Sequence, residues 1–165
     1  MLVEYVLRKA TCEDEEFLEK LYATSRDFDL AHAPWSDSQK RAFLDSQGRL
    51  QRDHYRKFFP NSEQQIIVVT DAPVGRLYVD RTEDEIHLMD VCLLPEYRNR
   101  GIGQSILEEL VSESVASDLR IWCTVSLLNH GSRKFFARNG FRVIRENGPN
   151  VELERLPYPR EGKTP

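Results

Sequence analysis

Apolar and polar positions change period along the chain, and the changes mark out its elements. Leu2 to Leu7 alternates weakly, as a first strand would. Thr11-x-x-Asp14 then reads as a capping signature ahead of Phe17, Leu18, Leu21 and Tyr22, whose spacing fits one face of a helix. Asp27 to Pro34 reads as a loop. Ser36-x-x-Gln39 is a second capping box and predicts a helix running toward Phe58, with Gly48 a weak point in its middle and Pro60 beyond its end. Gln65 to Thr70, Val74 to Val79 and Ile86 to Leu94 read as strands. The first two are joined by a turn over Asp71 to Gly75, the last two by the polar stretch Arg81 to Asp84. Ile102, Ile106, Leu107, Leu110 and Val111 recur on one face and predict a helix over Gly101 to Val115. Leu119 to Val125 is mostly apolar, which predicts a strand buried on both faces. A short helix over Gly131 to Arg138 ends in Asn139-Gly140, residue types that accept a left-handed cap. Phe141 to Arg145 and Val151 to Leu156 read as a last pair of strands around the turn Asn147 to Asn150.

The order β-α-α-β-β-β-α-β-α-β-β mixes hairpins with helical crossovers. It predicts an α/β (α+β) domain built on a mixed sheet of about seven strands. One domain is expected over residues 1–156, with residues 157–165, which hold three prolines, as a flexible tail.

Composition narrows the function. The 165 residues are 40% hydrophobic and 30% charged, the balance of an ordinary globule. The longest aliphatic run, Ile66 to Val69, is far short of the ~20 residues that span a bilayer, and Glu4 stands where a signal peptide wants a basic segment. No membrane association is expected. Cys12, Cys92 and Cys123 are odd in number and widely spaced, matching neither a disulfide framework nor a zinc site, so a reducing cytoplasmic compartment and no metal are expected. A net charge of −4 argues against nucleic acid as a partner. The charge is unevenly placed, however. Ile121 to Arg145 contains no acid where about four would be expected, yet holds Arg133, Lys134, Arg138, Arg142 and Arg145, a hint of a small anionic ligand.

The informative stretch is Asp90 to Ser105, in which a strand runs through a turn bearing two glycines and two arginines into the start of a helix. A helix start leaves about four N–H groups without intrahelical partners and carries roughly half a positive charge. Glycines remove the Cβ atoms that would hold a ligand away, so the stretch suits a phosphate or diphosphate. A dinucleotide fingerprint would need glycine where Ile106 stands, and a P-loop would need lysine where Gln104 stands. What remains, Arg98-x-x-Gly101-x-Gly103, resembles the signature of the GNAT superfamily of N-acetyltransferases, Gln/Arg-x-x-Gly-x-Gly/Ala. A second stretch, Asn129-x-x-Ser132-x-x-Phe135-Phe136-x-x-x-Gly140-Phe141, is similar to the Asn-x-x-Ala-x-x-Leu-Tyr-x-x-x-Gly-Phe block of the same family.

The resemblance, which covers Leu2 to Leu156 in element order, implies the GNAT fold with a V-shaped opening between the fourth and fifth strands. It also implies acetyl coenzyme A as cofactor. The diphosphate would rest on Arg98, Asn99, Arg100, Gly101, Ile102, Gly103, Gln104 and Ser105. The pantetheine arm would lie along Val91, Cys92 and Leu93, beside Asn129, Ser132, Phe135 and Phe136. The expected reaction is direct transfer of acetyl to a primary amine of a small molecule or peptide in a ternary complex. A coenzyme-A-binding regulatory module without turnover and an acyltransferase for longer acyl chains are the alternatives, and dimers are common in the family. The acceptor wall would be the helix-loop-helix from Asp27 to Tyr55, with Trp35, His32 and Tyr55 as contacts, and Asp27 and Asp29 favouring a cationic amine.

An amine must be neutral to attack. A lysine-like amine, with a pKa near 10.4, resists deprotonation at pH 7 by roughly 4.6 kcal/mol, whereas an α-amine near 7.8 resists far less. In the family a Glu or His on the strand before the signature often serves as base through water. His87, eleven residues before Arg98, holds that position, with Asp90 and Glu85 as the other candidates. The family's tyrosine, which protonates the leaving thiolate, is here Phe136, which has no proton to give. Ser126 and Cys123 are alternative donors, and a thiol near pKa 8.5 is a tolerable leaving group unaided.

Overall fold

The computed structural model describes residues 3–26 and 30–158. Its strands are β1 (Val6–Lys9), β2 (Glu63–Val69), β3 (Ala72–Arg81), β4 (Glu85–Leu93), β5 (Arg120–Ser126), β6 (Arg142–Asn147) and β7 (Asn150–Arg155). Helices α1 (Glu15–Ser25), α2 (Asp37–Phe58), α3 (Ile102–Ser117) and α4 (His130–Arg138) accompany them. The strands follow the order β1-β2-β3-β4-β5-β7-β6, with β4 and β5 parallel and the pairs β1–β2, β2–β3, β5–β7 and β6–β7 antiparallel. This is the mixed seven-stranded α/β sheet expected. The chain forms two compact units that interleave in sequence, one of residues 1–80 and 90–103, the other of 81–89 and 104–165, so that β4 contributes to both.

In the first unit, Asp14 closes the turn that precedes α1. Its Oδ2 accepts from the Thr11 N–H at 2.8 Å, while Arg8 Nη2 donates to Oδ1 at 2.6 Å. Ser36 caps α2 by accepting from the Gln39 N–H at 3.2 Å, and the Gln39 side chain returns the bond to the Ser36 N–H at 2.9 Å. The helix then runs unbroken past Gly48. A Cβ at that glycine would come within 3.3 Å of the Tyr22 ring, so the missing side chain is what lets α1 and α2 approach. Leu18 packs with Ile66 and Val68, and Tyr22 with Leu30 and Leu44. Each such burial contributes about 1.5–3 kcal/mol. The β2–β3 turn is tighter than expected: Thr70 (φ 48°) and Asp71 (φ 64°) both adopt the left-handed conformation of a two-residue hairpin turn, and β3 begins at Ala72.

In the second unit, Ile106, Leu107 and Leu110 of α3 are buried, as their spacing predicts. Phe136, Phe141, Val151 and Leu153 are buried as well. Strand β5 corrects one expectation. Ile121, Cys123 and Val125 are buried, but Arg120, Trp122, Thr124 and Ser126 are not, so one face is buried rather than two. Helix α4 ends as its sequence predicts: Gly140 takes a φ of 83°, and the Phe141 N–H returns to the Phe136 carbonyl at 3.1 Å. The acid-free stretch is not a free cationic surface. Arg142 donates to Glu154 at 3.1 Å and Arg145 to Glu152 at 2.6 Å, so β7 supplies the acids that its neighbour lacks.

Candidate active site

The signature follows the end of β4, where the strand still lies against β3 and its register with β5 has ended. Residues 86–89 of β4 are buried and residues 90–93 only half-buried, and the parallel register with β5 runs from Glu85↔Arg120 to His87↔Trp122. A short turn over Pro95–Tyr97 follows, and Arg98 Nε folds back to donate to the Leu93 carbonyl at 2.9 Å. Asn99 (φ 58°) and Gly101 (φ 88°) then take left-handed conformations, which turn the backbone into α3 within three residues. Asparagine tolerates that region and glycine has no penalty there. The Arg100 guanidinium lies over the Tyr97 ring at 5.4 Å.

This loop fits a diphosphate. A Cβ built on Gly103 meets nothing within 4 Å, so the space beside that residue in the first turn of α3 is open. That turn contains no acid to offset the positive end of its dipole. Gln104 is tied to Asn139 through reciprocal amide bonds of 2.9 and 3.2 Å, so its side chain anchors α3 beside the end of α4. Ile102 is buried and Ser105 half-buried.

A second group of polar residues gathers in the first unit around Asp90. Arg76 of β3, only 3% exposed, forms an ion pair through Nη2 with Asp90 Oδ2. Tyr55 of α2, an acceptor-wall candidate, belongs to the same group. Burial first, and then the charge of Asp90, push its hydroxyl pKa up, so it stays protonated. The Cys92 thiol is pushed up to about 11 by burial and by Asp90, which leaves it inert as a nucleophile near neutrality. Behind Asp90, Gly75 admits β4: a Cβ there would collide with the Cys92 carbonyl oxygen and lie 2.8 Å from Leu93 Cδ2.

Trp35 and His32 are exposed. Trp35 packs edge-on against Phe43 at 5.2 Å, and Phe43 lines a cavity of 220 Å³ with Tyr22, Arg26, Leu30, Leu44 and Gln47. Asp27 and Asp29 lie outside the described residues.

The second unit holds the other two base candidates. Glu85 Oε2 accepts from Arg120 Nη2 at 2.6 Å and Nε at 3.0 Å, while Oε1 accepts from Trp122 Nε1 at 2.8 Å. Both oxygens are engaged. His87 is 8% exposed and lies stacked on Trp122, with ring centroids 3.6 Å apart. Burial lowers its pKa to about 4, against the weaker pull of Glu85 and Glu152, so the imidazole is neutral at pH 7. Asn129 caps α4 by accepting from the Ser132 N–H at 3.0 Å. Phe136 is buried among Phe135 and Phe141, with centroids at 5.3 and 5.0 Å.

Arg76 and Tyr78 are not among the site residues that the sequence suggests, and Tyr22 and Gly75 figure there only as helix-face and turn residues. Arg76 had a visible signal, a lone cation inside the apolar run from Val74 to Val79, and Asp90 is its acidic counterpart in the apolar run from Ile86 to Leu94.

Comparison with known proteins identifies the family and the fold. Residues 15–141 match the model of the acetyltransferase (GNAT) family. The chain belongs to that family, whose members use acetyl coenzyme A. Among solved structures it is similar to the PaiA N-acetyltransferase of Thermoplasma acidophilum, solved in complex with coenzyme A, with 18% identity, TM-score 0.70 and coverage of 93% of this chain and 99% of that one. An acetyltransferase from Thermus thermophilus aligns with 18% identity and TM-score 0.67 over 94% and 99% of the two chains. A GNAT-family acetyltransferase from Staphylococcus aureus aligns with 15% identity and TM-score 0.64 over 94% and 100%. The fold is therefore shared at low identity. Among the described residues no helix is long and apolar enough to cross a membrane.

Proposed function

We propose that the protein is an N-acetyltransferase that uses acetyl coenzyme A to acetylate a primary amine of a small molecule or peptide. The observation that carries this reading is the bend from Arg98 to Gly103, with its left-handed residues and the open space beside Gly103. Main-chain N–H groups from Gly101 to Gln104 would hold the diphosphate, and Val91 to Leu93 on half-buried β4 would flank the pantetheine arm. When bound, the cofactor supplies an acetyl group activated as a thioester.

Of the three base candidates, Asp90 fits the role best. Glu85 is saturated by Arg120 and Trp122, and His87 is enclosed against the Trp122 ring. Asp90 keeps 22% of its side chain exposed, and its charge is felt at the Tyr55 hydroxyl. Its carboxylate would hold the incoming ammonium and take its proton, directly or through water, while Tyr55 remains a neutral donor. Phe136 leaves protonation of the departing thiolate to another donor, and water suffices for a thiol of pKa near 8.5.

The test pairs calorimetry with coenzyme A and thiol release from acetyl coenzyme A against a panel of amines. The wild-type protein should bind and turn over. Gly103→Glu should fold normally, because the new side chain enters open space, yet lose about 100-fold in coenzyme A affinity because its carboxylate meets the diphosphate. Binding with no thiol release for any amine would point instead to a regulatory module. Absence of coenzyme A binding would remove the reading altogether.

A further inference from the structure

Arg76 is held more firmly than the reaction described so far requires. A guanidinium with only 4% of its side chain exposed is unfavourable unless it is paired, and Nε here is buried without a hydrogen-bond partner, so the contacts of Nη2 and of the guanidinium plane carry the pairing. Here Nη2 pairs with Asp90 and donates to Gln51 Oε1 of α2 at 3.1 Å. The guanidinium carbon stands 5.0 Å from the centre of the Tyr78 ring and 5.7 Å from that of Tyr22. Groups from α1, α2, β3 and β4 thus hold one planar fork in one place. The pair is also asymmetric, since the Asp90 side chain is 22% exposed. Its cationic end is enclosed and its anionic end reaches solvent.

We propose that Arg76 is a positioning residue for Asp90, fixing the carboxylate as the anchor on which the ammonium of a cationic acceptor docks. The proposal rests on the assignment of Asp90 given above. A carboxylate on a strand end can rotate, and an amine that must meet an acyl carbon within a few tenths of an ångström needs it not to. A guanidinium fixes the direction of its partner because its donors lie in a rigid plane, whereas an ammonium is a point charge that leaves the partner free to turn. With its positive end buried, the pair presents a negative end outward, and the Tyr55 ring, 6.1 Å from the Tyr78 ring that faces Arg76, would offer a surface suited to the alkyl carbons and charge of an ammonium. An acceptor bearing an anion next to its amine would meet the same end and be disfavoured.

The test uses the full chain loaded with coenzyme A, titrated with primary alkylamines from methylamine to n-hexylamine and with a tripeptide bearing a free α-amine. It is run in parallel with thiol-release kinetics. Arg76→Met should raise the acceptor KM about 30-fold, with the KM for acetyl coenzyme A unchanged, and Arg76→Lys should recover part of that loss. The double variant Arg76→Met/Asp90→Asn should be no worse than the poorer single variant, because both act through one contact. If Arg76→Met fails to fold, Gln51→Leu, which loosens the fork from behind, carries the same comparison. Unchanged acceptor KM and amine affinity, or equal losses toward both substrates, would overturn the proposal. A wild-type protein that binds amines but releases no thiol would remove the acetyl-transfer reading, while amine affinity in the variants still decides the role of Arg76. A wild-type protein that binds no amine would overturn the positioning role itself.

Discussion

His87 lies flat on Trp122, its ring plane 5° from parallel and its centroid 3.6 Å away. The stack explains why this imidazole resists protonation: burial against the indole leaves an imidazolium poorly solvated.

That resistance has a measurable signature in stability. The folded pKa is about 4 and the ordinary value 6.5, so between those limits the unfolded chain binds a proton that the folded chain does not. Stability therefore rises with pH across this window and is lost as pH falls through it, by up to about 3 kcal/mol. His87→Phe keeps the stack and removes the titration. Urea unfolding from pH 4 to 7 should show a flatter profile for the variant, and parallel profiles would refute the assignment.

Asp14 should show acid sensitivity of the same sign in a lower window. The Arg8 guanidinium, with help from the Thr11 N–H, holds its pKa at about 2 against an ordinary 3.8. Its contribution is complete above the ordinary value and disappears as pH falls toward 2. Because Arg8 is half exposed, Asp14→Asn should cost only about 1–2 kcal/mol at pH 7. The difference from wild type should vanish in unfolding measurements near pH 2.

Gly75→Ala should damage both stability and cofactor binding. The added methyl meets the backbone of Cys92, which cannot move without shifting the end of β4 and the bend that follows. Overpacking of this kind costs about 1–3 kcal/mol. The expected outcome is a lower Tm together with weaker coenzyme A binding by calorimetry, in contrast to Gly103→Glu, which should lose binding alone.

Restoring the family's tyrosine at residue 136 should not restore an acid. Phe136 is buried between two aromatic rings, and a hydroxyl placed there without a partner costs about 1–3 kcal/mol. Phe136→Tyr should unfold at lower denaturant and change kcat by less than about tenfold. A larger rise in kcat would mean that the reaction lacks a proton donor.

How much of this was legible in the sequence depended on distance along the chain. The bend from Arg98 to Gly103 was readable because its glycines, its helix start and its preceding strand are neighbours in sequence. The caps at Asp14, Ser36 and Gly140 were readable for the same reason. The pairings that decide the base were not. Arg76 and Asp90 are 14 residues apart, and His87 and Trp122 are 35 apart. Which strand lies beside which, and in what register, determines whether a strand histidine meets water or an indole. The tight turn at Thr70-Asp71 was missed because nothing but the backbone there adopts the left-handed form, where the apparent turn residues Pro73 and Gly75 belong to the strand.

The last strand of the second unit has a consequence for assembly. β7 is inserted between β5 and β6, and it brings the acids that neutralise Arg142 and Arg145. A ribosome must therefore finish residue 155 before the strand made just earlier has anywhere to go. A stop codon shortly before Asn150 would remove β7 and leave β6 without a neighbour, and would release a polypeptide with a sticky, positively charged end.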